Sequence, residues 1–248
     1  MIIKVCGLRE AENIREVMAL PVDMIGFDFR PDSERLVKMI SSRAGIIPDY
    51  SEQRLREAPL SSPQGGEALD ASNSSAFHLG TSPLSMVSVG VFADDMPQNI
   101  ITRIYNYQLD AVQLDGSETA VMISNLRRSV VPDIAHRLMI IKTIRLKDNE
   151  DFLRWKEYEG EADLLRFECA SASDRELLSL RQIDLSRYNG TIPFLLSGGI
   201  GLADAAFVKS LRHPLFVGID LNECFETAPA VKDIEKLRRF IQEVKPNS

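Results

Sequence analysis

The chain has 248 residues, with 36 acidic side chains against 29 basic ones, a formal net charge of −7 and a sequence pI near 5.1. Its 44% hydrophobic and 26% charged content is that of a globular protein, long enough to bury a large core without disulfides or metal. No apolar run reaches the roughly 20 residues that span a bilayer. The amino-terminal stretch has no signal-peptide core, and an acidic balance disfavours a nucleic-acid partner. Cys6, Cys169 and Cys224 are too few and too scattered for a disulfide scaffold, so a cytoplasmic protein with reduced thiols is expected.

In chain order, residues 2–6 read as a strand and 10–20 as a helix with apolar positions at helical spacing. Residues 23–29 give a second strand, followed by a helical pattern over 34–42. Residues 58–85, rich in Ser, Pro, Gly, Ala and Asn and without a period, read as a low-complexity surface insertion before the third strand, 86–92. The later strands are 111–114, 138–143, 163–167, 192–196 and 216–221. Helical patterns fall at 96–107, 118–127, 149–157, 174–180, 203–211 and 231–244. Eight strands, each followed by a helical segment, imply a parallel sheet. In about 250 residues that is an α/β fold, a single (β/α)8 TIM barrel over 1–248, with its site at the carboxyl ends of the strands.

Alternation along each strand then selects the candidates. Ile2, Lys4 and Cys6 share a face of the first strand. Cys6 ends it and Gly7 turns the chain. A Cys at a barrel mouth can serve as base or nucleophile, or simply as a small buried hydrophobe. Gln113 and Asp115 share a face at the end of the fourth strand. Arg166 and Glu168 do so at the end of the sixth, where a buried ion pair is the plainer reading. Ser197-Gly198-Gly199-Ile200-Gly201 offers exposed backbone N–H groups before a helix, which suits a phosphate. Asp220 and Asn222 end the eighth strand. The histidines, His78, His136 and His213, lie away from the strand ends that carry chemistry and read as solvated or structural.

These residues carry a resemblance. Lys4-Val5-Cys6-Gly7-Leu8, Gly26-Phe27 with Ser33 and Arg35, Gly90-Val91-Phe92 and Val112-Gln113-Leu114 occur in order. Pro193-Phe194-Leu195-Leu196-Ser197-Gly198-Gly199-Ile200, Gly218-Ile219-Asp220-Leu221-Asn222, Phe225-Glu226 and Lys232-Asp233 follow. Together they resemble the phosphoribosylanthranilate isomerase family of tryptophan biosynthesis. The resemblance implies an Amadori rearrangement of a small phosphosugar substrate, without cofactor or metal, in a monomer or homodimer. It implies Cys6 as general base, Glu168 at the position of the family's acidic Asp, Arg35 near the anthranilate and Gly198 and Gly199 at the phosphate. Lys4, Gln113, Asp115, Asp220 and Asn222 complete the substrate set.

Several positions depart from the family pattern. Glu168 replaces Asp, Asp115 replaces His after Gln-Leu, and Glu34 replaces Pro. Asp28 and Arg166 stand where the family is usually apolar, and Glu223 stands at a usually small position. Counted alone, Asp28, Asp115 and Glu223 add negative charge around a mouth meant for an anionic substrate, each like pair costing roughly 3 kcal/mol at 5 Å. That leaves open a second reading, a catalytically degenerate paralogue binding a less anionic ligand or acting as a non-catalytic partner. A third places zinc on Cys6, Cys169 and Cys224, all near strand carboxyl ends.

Overall fold

Eight short strands alternate between two environments, and this alternation sets the architecture. The computed structural model describes residues 1–38, 86–131, 134–171 and 174–246. The strands are β1 (Ile2–Val5), β2 (Met24–Asp28), β3 (Val87–Phe92), β4 (Ala111–Leu114), β5 (Met139–Arg145), β6 (Leu164–Glu168), β7 (Phe194–Ser197) and β8 (Phe216–Leu221). They pair in parallel in sequence order, and β8 returns to β1, so the barrel is closed.

Outward-pointing Ile3, Val5, Phe27, Val112, Leu114, Phe167, Leu196 and Leu221 belong to the main core. Against it pack Ile14 and Val17 of α1 (Ala11–Met18), Ile100 and Ile104 of α2 (Pro97–Tyr107) and Ile123 and Leu126 of α3 (Ala120–Val130). After the short α4 (Ala205–Ser210), α5 (Ile234–Val244) contributes Leu237 and Phe240. Thr119 caps α3 by accepting from the Met122 N–H, and Asp233 caps α5 by accepting from Lys236, which meets donors the first helical turn leaves orphaned.

Inside the barrel, Met24, Val89, Ala111, Ile141, Leu164 and Leu195 form a separate apolar cluster towards the amino-terminal ends of the strands. Two residues further along, Gln113, Thr143, Arg166 and Ser197 make the interior polar, beside Gly26 and Val91. Another step of two reaches Asp28, Asp115, Arg145 and Glu168. A dry plug below and charge above is the arrangement of a barrel with its chemistry at the carboxyl ends.

The sequence expectations are corrected in four places. Over the described part of 34–42, residues 34–38 form a turn and a bridge between Asp28 and Leu36 rather than a helix. The rest of that stretch and the expected insertion at 58–85 lie outside the described residues. Residues 149–157 fall in a 3-10 helix, Asn149–Tyr158, capped by Asp148. Residues 174–180 are not helical, because the loop after β6 is stitched to β5 through Leu178 N–H to Leu146 O and Ala170 N–H to Leu178 O. Finally, 231–244 begins as a strand: β9 (Glu226–Ala228) and β10 (Val231–Lys232) form a small hairpin before α5.

Candidate active site

A cavity of about 380 Å³ opens at the carboxyl ends of the strands, within the usual size range of small-molecule sites. Cys6, Gln113, Asp115 and Glu168 line it, as do Arg35, Gly198, Gly199, Asp220 and Asn222. Lys4, the remaining residue singled out from the sequence, lies fully buried beneath them.

Cys6 follows β1, and its sulfur rests against Gly26 on β2. A Cβ built on Gly26 would stand 2.6 Å from Cys6 Sγ, so only a glycine leaves room for the thiol in this place. Gly7, at φ +74°, serves the same corner: a side chain there would strike Arg35 and Asn222. Burial pushes the Cys6 thiol above its ordinary value. The charge of Lys4 opposes this, while Asp220 and Asp28 add to it. Burial works hardest against the Lys4 ammonium, but Asp220 and Cys6 together outweigh it and hold Lys4 above its usual value.

Asp220 Oδ2 accepts from both Lys4 Nζ at 2.9 Å and Arg166 Nε at 2.7 Å, and its Oδ1 has no partner among the described residues. Register makes these meetings local: Lys4 lies beside Asp220 across β1–β8, and Arg166 beside Thr143 across β5–β6. Glu168 accepts from Arg166 Nη2 at 3.1 Å and lies 3.3 Å from Arg145 Nε, its register partner, which also pairs with Asp174. The expected Arg166–Glu168 pair is thus present, within a larger network.

Arg30, in the loop after β2, grips Asp28 through Nε at 2.9 Å and Nη2 at 2.7 Å and reaches Asp115 at 3.2 Å. Asp115 also accepts from Thr143 Oγ1 at 2.5 Å and Gln113 Nε2 at 2.8 Å. Burial raises the Asp115 carboxyl, but the charges of Arg166 and Arg30 and these hydrogen bonds outweigh it and hold the group below the usual carboxylate range. The expectation that Asp28 and Asp115 confront the ligand as bare negative charge is therefore wrong: each has an arginine partner. Arg35 is held by Glu226 through Nε at 2.8 Å and Nη2 at 2.6 Å, and Lys232 shares that carboxylate at 2.6 Å.

Gly198 and Gly199 both adopt positive φ, and a side chain on either would collide with the backbone of Cys169 or Ala170 after β6. The helix expected directly behind them begins later, at Ala205, after a 3-10 turn at Leu202–Asp204. The three cysteines line the cavity, yet among the described residues no group of three or more His, Cys, Asp or Glu side chains is placed to hold a metal ion. Burial pushes Cys169 up to about 12. The three-thiolate reading is set aside.

The model of the N-(5′-phosphoribosyl)anthranilate isomerase family matches residues 70–243. A relative of that name from Parabacteroides distasonis is 34% identical over 98% of this chain and 93% of its own. The chain belongs to the phosphoribosylanthranilate isomerase family. The solved isomerase from Thermus thermophilus superposes with a TM-score of 0.66 at 22% identity, covering all of both chains. Another isomerase of the family, solved in complex with reduced 1-(o-carboxyphenylamino)-1-deoxyribulose 5-phosphate, gives 0.63 at 22% identity over 99% of this chain and all of its own. Both show the barrel. Family membership and the paired charges favour the isomerase over a degenerate paralogue. Among the described residues, no helix is long and apolar enough to cross a membrane.

Arg30, Arg145, Ser171 and Asp174 are the lining residues that the sequence reading missed. Arg145 was within reach of it: it shares the interior face of Ile141 and Thr143, but the strand runs two residues past its expected end. No local pattern marks Asp174.

Proposed function

We propose that this chain isomerises N-(5′-phosphoribosyl)anthranilate to 1-(o-carboxyphenylamino)-1-deoxyribulose 5-phosphate, with Cys6 as general base and Glu168 as general acid. The observation that carries the assignment is the convergence of a thiol from the end of β1 and a carboxyl from the end of β6 on one cavity, in a chain of this family. Glu168 gives its proton to the furanose ring oxygen as the C1′–O bond breaks, leaving the open-chain iminium. Cys6 thiolate removes the C2′ proton, and the electron pair moves to form the enolamine, which becomes the ketone as C1′ takes a proton. No atom is gained or lost. Lys4 supports the thiolate from below, against burial and the nearby carboxylates.

Gly198 and Gly199 fit the phosphate end: both line the cavity at positive φ, and a Cβ there would strike the backbone of Cys169 or Ala170, so only glycine lets the loop hold this form. Arg35 is the cation for the anthranilate carboxylate. Glu226 and Lys232 hold it in place, and its side chain keeps some exposure towards the cavity. Gln113, Asn222 and Asp220 line the cavity where the sugar would lie, with Asp220 Oδ1 buried at its floor. Lys4 and Asp115 act from behind, on Asp220 and Gln113.

The test is conversion of N-(5′-phosphoribosyl)anthranilate by the purified protein. A product of unchanged mass that borohydride reduces as a ketone is expected. Unchanged substrate in the presence of folded protein would overturn the proposal.

A further inference from the structure

Arg166 is a costly residue. Its side chain is only 9% exposed, and taking a charge out of water costs several kcal/mol even after relaxation. It stands in mid-strand, where Leu164, two residues earlier on the same face, packs in the apolar plug. Stability alone would be served by another apolar side chain. The contacts indicate what the guanidinium does instead. Nε donates to Asp220, Nη2 to Glu168 and Nη1 to Thr143, which itself donates to Asp115.

We infer that Arg166 is a positioning residue, a single rigid fork on β6 that fixes the Glu168 carboxyl and the Asp220 carboxylate relative to each other. The inference rests on the isomerase reading above, in which Glu168 moves a proton and Asp220 faces the sugar. Asp220 Oδ2 is clamped between Lys4 and Arg166, and this leaves Oδ1 as the atom without a partner among the described residues. Without Arg166, Asp220 keeps one cation on one oxygen and can turn about it. Among the described residues, Glu168 then keeps only Arg145, which is half-exposed and shared with Asp174. A lysine restores the charge but reaches one carboxylate at a time, because it lacks the planar fork.

The test compares the wild type with Arg166→Leu and Arg166→Lys in steady-state turnover of N-(5′-phosphoribosyl)anthranilate, with a thermal melt of each. A misplacement near 1 Å costs about a hundredfold, so the Leu variant is expected to lose about that much kcat. KM should stay within about threefold, because the guanidinium nitrogens are engaged by protein groups, Asp220, Glu168 and Thr143. The Lys variant should recover part of kcat. An active wild type with both variants unchanged overturns the role of Arg166. A raised KM at intact kcat, or a Lys variant no better than Leu, overturns it as well. Should the Leu variant fail to fold, the Lys variant decides: a kcat equal to wild type overturns the inference, and a lowered kcat at unchanged KM supports it. A folded wild type without turnover overturns the isomerase reading itself, which separates the two failures.

Discussion

Replacing Gly26 by alanine would test how closely the site depends on the seat of the thiol. Gly26 does not use the left-handed region, so its backbone accepts alanine and the whole effect is contact. The new methyl would stand 2.6 Å from Cys6 Sγ and 3.2 Å from Cys6 Cα and Cβ. Non-bonded heavy atoms settle at about 3.5–4.0 Å, so the sulfur must retreat by about 1 Å. That displacement predicts a loss of about a hundredfold in kcat. Overpacking a core costs about 1–3 kcal/mol, and at about 2–4 °C per kcal/mol the melting temperature should fall by roughly 2–12 °C. Gly90→Ala is the control. Its methyl would lie 2.5 Å from Leu109 Cδ1 and 2.8 Å from Phe92 Cε2, in the outer core rather than the cavity. It should lower the melting temperature by a similar amount and keep kcat within about threefold. Steady-state turnover with a melt of each variant is the assay. Unchanged kcat in Gly26→Ala, or an equal kcat loss in Gly90→Ala, would refute the reasoning.

Three further outcomes are expected. Glu168→Gln keeps the shape but has no proton to give, so kcat should fall by about 10²–10⁴-fold; an unaffected variant would place the acid elsewhere. The base form of Cys6 must lose its proton, and burial holds that thiol above its ordinary value. The ultraviolet thiolate absorbance that wild type shows and Cys6→Ala lacks should therefore appear only above about pH 8.5; a thiolate already formed below that pH contradicts this. Lys142, on the outward face of β5, bonds to Glu118 Oε2 at 2.9 Å and to the carbonyls of Leu114 and Gly116, pinning the loop after β4. Lys142→Met leaves Glu118 buried without its cation, a loss of about 3–5 kcal/mol that a melt would show as a fall of roughly 6–20 °C. An unshifted melt would count against the pin.

The barrel is legible in the sequence because period-two alternation inside short β-branched runs needs no tertiary information. The same alternation brings Lys4, Gln113, Arg166 and Asp220 inside. The helical readings fail where a loop is held by other means. Residues 174–180 have helical composition, but Leu178 is bound to Leu146 of the β5 end, and that contact outweighs local preference. The charge around the mouth was the least legible feature. Counting Asp28 and Asp115 as bare acids predicts repulsion, since Arg30 meets Asp115 across 85 positions of chain and only closure of the barrel brings them together. Similarly, Arg35 finds Glu226 from 191 positions away. Charge read along a chain gives the inventory, whereas its effect depends on pairing that the topology creates.

In the proposed reaction, Cys6 at the end of β1 and Glu168 at the end of β6 act on one substrate in one cavity. Turnover of freshly prepared N-(5′-phosphoribosyl)anthranilate by the wild type and by Cys6→Ala tests it most directly. A wild-type kcat in the ordinary enzyme range of about 1–10³ per second is expected. The alanine variant, folded and melting near the wild type, is expected to lose at least about 10²-fold. A Cys6→Ala variant that turns over like the wild type, or a folded wild type that leaves the substrate intact, would contradict it.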